Sequence, residues 1–249
     1  MRHAAWTDRL PWLLRVACEY AAFAIILAIL GVSFLSTSAF GAVMVWVLPR
    51  RMQAPCGQAM IQGGFRFALW CMRATGLVRM DLRALDTLRH ERGLVVAPNH
   101  PSLLDVMLVA SRVPRVVCIT KAQLWDNPLL GGSARLAGYI RNDAPLPLVR
   151  RAGAALRGGA NLLIFPEGTR TVCPPVGPFK GGFALMARTA GAPIQTVFIE
   201  ADTPYLRKGW PLFRKPPLPL VYRARLGRRF DGAASMTELE AYYAAELRP

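Results

Sequence analysis

The sequence predicts an α/β protein: a mostly parallel sheet flanked by helices, preceded by an N-terminal membrane-embedded helical segment. Three observations predict it. Residues 20–48 carry no charged side chain. From about residue 94, short β-type runs alternate with helix-like ones. Two segments rich in reactive side chains each follow one of those runs directly, where parallel sheets gather their chemistry.

A chain of 249 residues suits one domain, or one domain with a membrane-associated segment. We divide it into an anchoring helical segment at 1–80 and an α/β domain at 81–249. With 53% hydrophobic and 18% charged residues the composition is apolar for a soluble enzyme and unlike a disordered chain. The net charge of +16, carried mostly by arginine, attracts polyanions: nucleic acid, anionic headgroups or a phosphate-bearing cofactor. The apolar run puts membrane lipids ahead as partners. No nucleic-acid module is recognisable, so nucleic acid is not an expected partner.

The uncharged run exceeds the roughly 20 residues of one span and falls short of two. It predicts either one tilted span or a re-entrant hairpin turning near 31–38. A signal peptide cleaved at Thr37-Ser38-Ala39 is the competing reading, but its apolar core would be unusually long. Arg50 and Arg51 follow, and residues 50–92 hold eight arginines against three acids. That bias places the flank in the cytoplasm, hence an inner (cytoplasmic) membrane location with the catalytic domain facing the cytoplasm. Residues 61–77 interleave Phe65, Phe67, Leu69, Trp70 and Met72 with Arg66 and Arg73. This is either an interfacial helix or a core helix with a solvated edge.

Strands are expected at 94–97, 116–120, 161–165, 194–200 and 218–226, and helices at 102–111, 122–137, 148–157, 182–189 and 236–247. Residues 206–219 are Pro-rich and basic, with Trp210 and Phe213 among Arg207, Lys208, Arg214 and Lys215. They suit a membrane interface or an exposed loop. Cys18, Cys56, Cys71, Cys118 and Cys173 are odd in number and lack Cys-x-x-Cys spacing, which fits reduced thiols on the cytosolic side. The three histidines form no zinc-type cluster, so no metal is expected.

The first reactive segment is Asn99-His100-Pro101-Ser102-Leu103-Leu104-Asp105. Pro101 suits the first turn of a helix, placing His100 at a strand-to-helix junction and Asp105 within the next turns. A carboxylate on Nδ1–H fixes the tautomer and leaves Nε2 free to take a proton from an alcohol. Read alone, the pair is equally a helix cap with a surface histidine. The second segment, Phe165-Pro166-Glu167-Gly168-Thr169-Arg170, forces a turn whose amides, hydroxyl and guanidinium can receive an anion.

Together these segments resemble the lysophospholipid acyltransferase family, the 1-acylglycerol-3-phosphate acyltransferases and relatives. Lys121 with Gly138-Tyr139-Ile140-Arg141 looks like the family's second motif, whose Arg contacts the acceptor phosphate. Ala192-Pro193-Ile194 looks like its fourth, associated with acyl-chain and acceptor binding, and Phe179-Lys180-Gly181-Gly182 matches the basic segment after the third. The resemblance implies that His100 is general base, oriented by Asp105, and that the acceptor hydroxyl attacks the thioester of acyl-CoA or acyl carrier protein directly. It implies no cofactor beyond that co-substrate. Consistently, no Gly-x-Ser-x-Gly nucleophile elbow is present. Lys121, Arg141, Arg170 and Lys180 are the candidate phosphate contacts, with Glu167, Gly168 and Thr169 completing the substrate-binding set.

The chain departs from the family's pattern in two places. Residues 171–178 lack the Ser and the charges common in glycerophosphate enzymes, and Gln195-Thr196 stands where a second Pro is common. The default acceptor is 1-acylglycerol-3-phosphate. The alternatives are another lipid or conjugate, of aryl-polyene or lipid A type, or a membrane-anchored basic adaptor without turnover.

Overall fold

A computed structural model of the chain describes residues 6–128, 130–172 and 175–248. The strands are β1 (Val78–Asp81), β2 (Val95–Pro98), β3 (Val116–Lys121), β4 (Ile140–Asn142), β5 (Asn161–Leu163), β6 (Ile194–Ala201) and β7 (Leu220–Phe230). They form one sheet in the order β1-β7-β6-β2-β5-β3-β4. All pairings are parallel except β6 with β7. The central strands are buried throughout, as a sheet covered on both faces requires.

The helices are α1 (Trp12–Val47), α2 (Arg50–Ala74), α3 (Asp105–Ala110), α4 (Ala122–Asp126), α5 (Gly132–Leu136), α6 (Pro145–Arg157), α7 (Gly182–Ala190) and α8 (Met236–Glu246). Strand periodicity sorts side chains between two layers. Val96, Val116, Cys118 and Leu163 meet α1, α2 and α3, while Val95, Ala97, Val117 and Leu162 meet α6, α7 and α8.

Two strands escaped the sequence reading. β1 is four residues with two charges, and β4 only three residues. β1 also straddles the expected boundary at residue 80. The expected helix at 122–137 is two short helices, because Pro128 disfavours helical backbone at the residue before it, and Asn127 is extended at ψ 122°. Leu129 of that stretch, and Cys173 and Pro174 of the later loop, lie outside the described residues. Cys18, Cys56, Cys71 and Cys118 carry free thiols.

α1 runs unbroken through residues 31–38, so the hairpin reading with a turn there is incorrect. The chain reverses instead at Leu48-Pro49, both extended, and enters α2. The 36-residue helix is about 54 Å long at 1.5 Å per residue, against about 30 Å of hydrocarbon. It is held to the α/β domain near both ends. Glu19 meets Lys215 at 2.7 Å, and Phe23 lies edge-on to Tyr205 at 6.1 Å. At the other end Ser38 Oγ accepts the Gly132 amide at 3.1 Å. Phe23 and Ile26 of α1 and Leu69 and Met72 of α2 share one core with the sheet. The outward face of α1 is apolar: Val32, Leu35, Phe40, Val43 and Trp46 are all exposed. Only 17% of its most apolar stretch is buried.

Glycines let α5 nest between these helices. A Cβ on Gly57 would sit 2.4 Å from the Ala137 amide nitrogen, and one on Gly132 would sit 2.0 Å from the Ser38 carbonyl oxygen. Gly57→Val should therefore lower unfolding stability by about 1–3 kcal/mol, read as the denaturation midpoint in detergent. Gly63→Ala, where a Cβ meets nothing within 4 Å, should leave the midpoint unchanged or raise it. Equal midpoints for wild type and Gly57→Val would contradict this packing.

Candidate active site

β2 ends at Pro98, which has no N–H to continue its ladder. The Asn99 side chain continues the pairing: its amide donates to the Ile199 carbonyl at 3.0 Å, and its oxygen accepts the Ile199 N–H at 2.7 Å. Tyr243 of α8 donates its hydroxyl to the Ala97 carbonyl. These contacts fix the end of β2, so the next residue, His100, leaves the sheet at a set position.

The His100 backbone is gripped from both sides. Its N–H donates to Glu167 Oε1 at 3.3 Å, and its carbonyl accepts the Thr171 N–H at 2.8 Å. The ring stacks on Phe165 at 3.6 Å with 13° between planes. Nδ1 lies 2.9 Å from Asp105 Oδ2, and 11% of the His100 side chain remains exposed while Asp105 has none. Asp105 Oδ2 also accepts the Ser102 N–H at 2.7 Å, and Ser102 Oγ accepts the Leu104 N–H at 3.2 Å. This is capping-box-like reciprocity around the entry to α3. One oxygen of Asp105 thus meets both the His100 ring and the backbone entering α3.

Asp105 Oδ1 has no hydrogen-bond partner among the described residues. Burial raises the Asp105 pKa to about 6, against the opposing pull of the His100 and Ser102 hydrogen bonds. The carboxylate is thus ionised at neutral pH and able to stabilise a charged imidazolium, and it is protonated below about 6.

The second segment forms the neighbouring wall, after β5. Phe165 accepts the Gly168 N–H at 2.9 Å, closing a turn that Gly168 completes with φ +64°. The sequence reading places Glu167 in the substrate-binding set, as a structural or acceptor-orienting carboxylate. The structure favours the structural role: Glu167 is buried and accepts from the His100 amide, the Thr171 hydroxyl at 2.7 Å and the Gly177 amide at 2.8 Å. A carboxylate so occupied holds the loop together and has no face for an acceptor.

The other predicted residues are spread along the same edge of the sheet. Gly168 and Thr169 are exposed, and the Lys180 side chain lies over Gly168, where a Cβ would be 2.7 Å from its Cδ. Arg170 donates to the Leu206 carbonyl at 2.8 Å and the Arg207 carbonyl at 3.1 Å, pinning the 202–219 connection beside the site. Lys121 and Arg141 lie at the carboxyl ends of β3 and β4. Arg141 is engaged by Asp126 at 2.7 Å and Asp143 at 3.2 Å. The structure does not bring Ala192-Pro193-Ile194 to this edge. Ile194 pairs with Val95 at the start of β2, five residues before His100, or about 16 Å along a strand. Gln195 and Thr196 likewise bond to β7 carbonyls, Gly227 at 2.7 Å and Arg228 at 2.7 Å.

Sequence reasoning missed Phe165, Thr171 and Ser102 as supports of the imidazole. Ser102 had a visible signal, since Ser-x-x-Asp is a helix-start pattern. Thr171 and Phe165 had none, because their roles depend on which turn faces which strand.

A mostly buried imidazole held on a buried carboxylate thus stands at the carboxyl edge of the parallel strands. The Acyltransferase family model matches residues 79–200, and the chain is an acyltransferase similar to the lysophospholipid acyltransferases. It is similar to a 1-acyl-sn-glycerol-3-phosphate acyltransferase of Pseudomonas aeruginosa, 27% identical over 184 residues, 71% of this chain and 71% of that protein. It is also similar to a lyso-ornithine lipid O-acyltransferase of the same organism, 32% identical over 59% of this chain. That match spans 56% of the relative, little more than half its length. The crystal structure of the 1-acyl-sn-glycerophosphate acyltransferase PlsC from Thermotoga maritima has the same fold, with a TM-score of 0.68 over 94% of this chain and 93% of that one, at 22% identity.

With the Asp105 pKa at about 6, kcat/KM should fall as pH drops through 6, because protonation removes the negative charge that supports the imidazolium. Asp105→Asn should lower kcat by roughly 10³–10⁴-fold and displace that acid limb. A pH–rate profile with the limb intact in the variant would assign it to another group.

Proposed function

We propose that the protein is a membrane-bound O-acyltransferase that moves a fatty acyl group from acyl-CoA or acyl carrier protein to a lysolipid hydroxyl, with 1-acylglycerol-3-phosphate as default acceptor. One observation carries the reading: the Nδ1 contact to Asp105 leaves Nε2 as the imidazole's proton acceptor in a ring that is still reachable. The acceptor hydroxyl gives its proton to Nε2 as its oxygen attacks the thioester carbonyl. The tetrahedral intermediate collapses with cleavage of the C–S bond, and the leaving thiolate takes the proton back from the imidazolium. The thioester is already activated, so the chemistry requires neither an acyl-enzyme nor a metal.

Lys121, Arg141, Arg170 and Lys180, with Gly168 and Thr169, form the polar rim that receives the acceptor headgroup. Arg170 still has donors beyond the nitrogen bonded to the 206–207 carbonyls, so it can hold that connection and meet a phosphate together. The apolar outward face of α1 supports attachment to the bilayer. Because α1 is fastened to the domain near both ends, it suits a helix lying in the interface better than one leading away through the membrane. The cytoplasmic face of the inner membrane is the proposed location.

A second reading has its own support. Arg141 is already paired with two acids, and the similarity to a lyso-ornithine lipid O-acyltransferase points to an acceptor hydroxyl without a phosphate. Acyl transfer in detergent micelles with a panel of lysolipids and both donor types, followed by mass spectrometry, separates the readings. Preferred turnover of lysophosphatidate supports the first, and of lyso-ornithine lipid the second. No product from any lysolipid would overturn both. His100→Ala should reduce turnover by at least about 10³-fold while vesicle binding is kept; wild-type turnover in that variant would refute the mechanism. Arg170→Ala should raise KM for a phosphorylated acceptor several-fold, and an equal loss on every acceptor would assign Arg170 to the loop alone.

A further inference from the structure

α2 places Arg66, Trp70 and Arg73 along one stripe of its surface, at spacings of four and three residues. Arg112, just past the end of α3, joins them. Together they line a cleft of ≈ 320 Å³ floored by Leu69 and Met80. No carboxylate lines it. The nearest acid in contact, Asp86, already receives Arg112 at 3.2 Å and Arg89 at 3.2 Å. Arg66 and Arg73 have no ion-pair partner among the described residues.

A second cleft on the molecule shows the contrast. The ≈ 350 Å³ hollow between β1 and β7 contains Asp81 and Glu200 beside Arg83, Arg223 and Arg225. Two acids there meet two of the three arginines, with Arg83 to Asp81 at 2.9 Å and Arg225 to Glu200 at 3.4 Å. In the α2 cleft Asp86 meets Arg112, while Arg66 and Arg73 keep their charge without an ion-pair partner among the described residues, in a concave site. That is what an anion requires.

The surroundings identify the anion's carrier. Trp70 is 65% exposed and Phe67 56%, and the two rings stack at 6.2 Å beside the cleft. Exposed aromatics flanked by arginines suit the headgroup level of a bilayer, and α2 follows directly from α1 with its apolar outward face. The cleft lies at the far end of α3 from Asp105, about 9 Å of helix away, and shares no residue with the acceptor rim. We propose that it binds the phosphate of an anionic phospholipid of the bilayer, at a site separate from the acceptor position. Guanidinium forks grip the phosphate oxygens, and the glycerol and proximal acyl carbons lie across Trp70 and Phe67.

The inference rests on the membrane reading above, and its test distinguishes the two. Binding of the full chain is measured on vesicles of phosphatidylcholine alone and of phosphatidylcholine with phosphatidylglycerol. The comparison includes Arg66→Gln/Arg73→Gln and a charge-matched control, Arg150→Gln/Arg188→Gln. The control arginines are exposed on α6 and α7, against the opposite face of the sheet. Wild type should favour the anionic vesicles. The cleft variant should lose about thirty-fold in affinity for them, keep wild-type affinity for neutral vesicles, and keep turnover in neutral micelles. The control should lose less than about three-fold, because its charges lie beyond a Debye length from the docked surface. Equal losses in both variants, or none in the cleft variant, would overturn the site. Release from the anionic vesicles by glycerol 3-phosphate would assign the cleft to a soluble phosphate ester and overturn the lipid assignment. Wild type that binds neither vesicle would refute the membrane reading itself.

Discussion

The hydrogen bond between His100 Nδ1 and Asp105 Oδ2, at 2.9 Å, is the contact on which the rest of the site depends. Taking a carboxylate fully out of water costs several kcal/mol unless it finds partners. Asp105 finds two, the imidazole and the Ser102 amide, and both reach the same oxygen. Any loosening of His100 would therefore leave a buried charge nearly bare. The surrounding structure opposes such loosening at every bond: Asn99 extends the sheet past Pro98, Glu167 and Thr171 hold the His100 backbone, and Phe165 stacks on its ring. The segment after β5 thus acts first as a support for the segment after β2. Its carboxylate is structural, and only Gly168 and Thr169 are exposed.

The same economy governs the cations. Arg170 ties the 202–219 connection to the catalytic edge through two carbonyls. That connection in turn reaches α1 through Lys215 and Glu19, and α3 through the Ser102 hydroxyl on the Tyr205 carbonyl at 3.0 Å. A continuous set of polar contacts therefore links the start of the apolar helix to the imidazole. Neighbouring aromatic packing reinforces it, with Phe23 against Tyr205 and Tyr205 against Trp210 at 6.1 Å. The apolar helix α1 is, by this route, part of the scaffold that fixes the His100 ring.

Much of this was legible in the sequence. The Val-rich runs at β2 and β3 announce strands buried on both faces, and Pro101 marks the junction that presents His100. The other five strands, β2, β3, β5, β6 and β7, follow from such runs. β1 and β4 do not, because edge strands of four and three residues gain their pairing from neighbours and carry little pattern of their own. The break at Asn127-Pro128 was a local signal that the apolar periodicity of residues 122–137 overrode. The path of α1 was not legible: an uncharged run has no marker for which face meets protein, and here that face is chosen by Gly41, Gly57 and Gly132 at close backbone contacts. In the site, the pairing of His100 with Asp105 could be read because the two are five residues apart. Whether Glu167 is structural or orients an acceptor could not be chosen from the sequence, since its three donors come from residues 100, 171 and 177 and meet only once the sheet is assembled.

The most direct test of the base assignment is the position of one proton. The chain has only three histidines, so selective ¹⁵N-histidine labelling in detergent gives three imidazoles to assign. Long-range ¹H–¹⁵N correlation at alkaline pH should find the His100 proton on Nδ1, with Nε2 bare. A His100 ring carrying its proton on Nε2, with Nδ1 bare, would contradict the account.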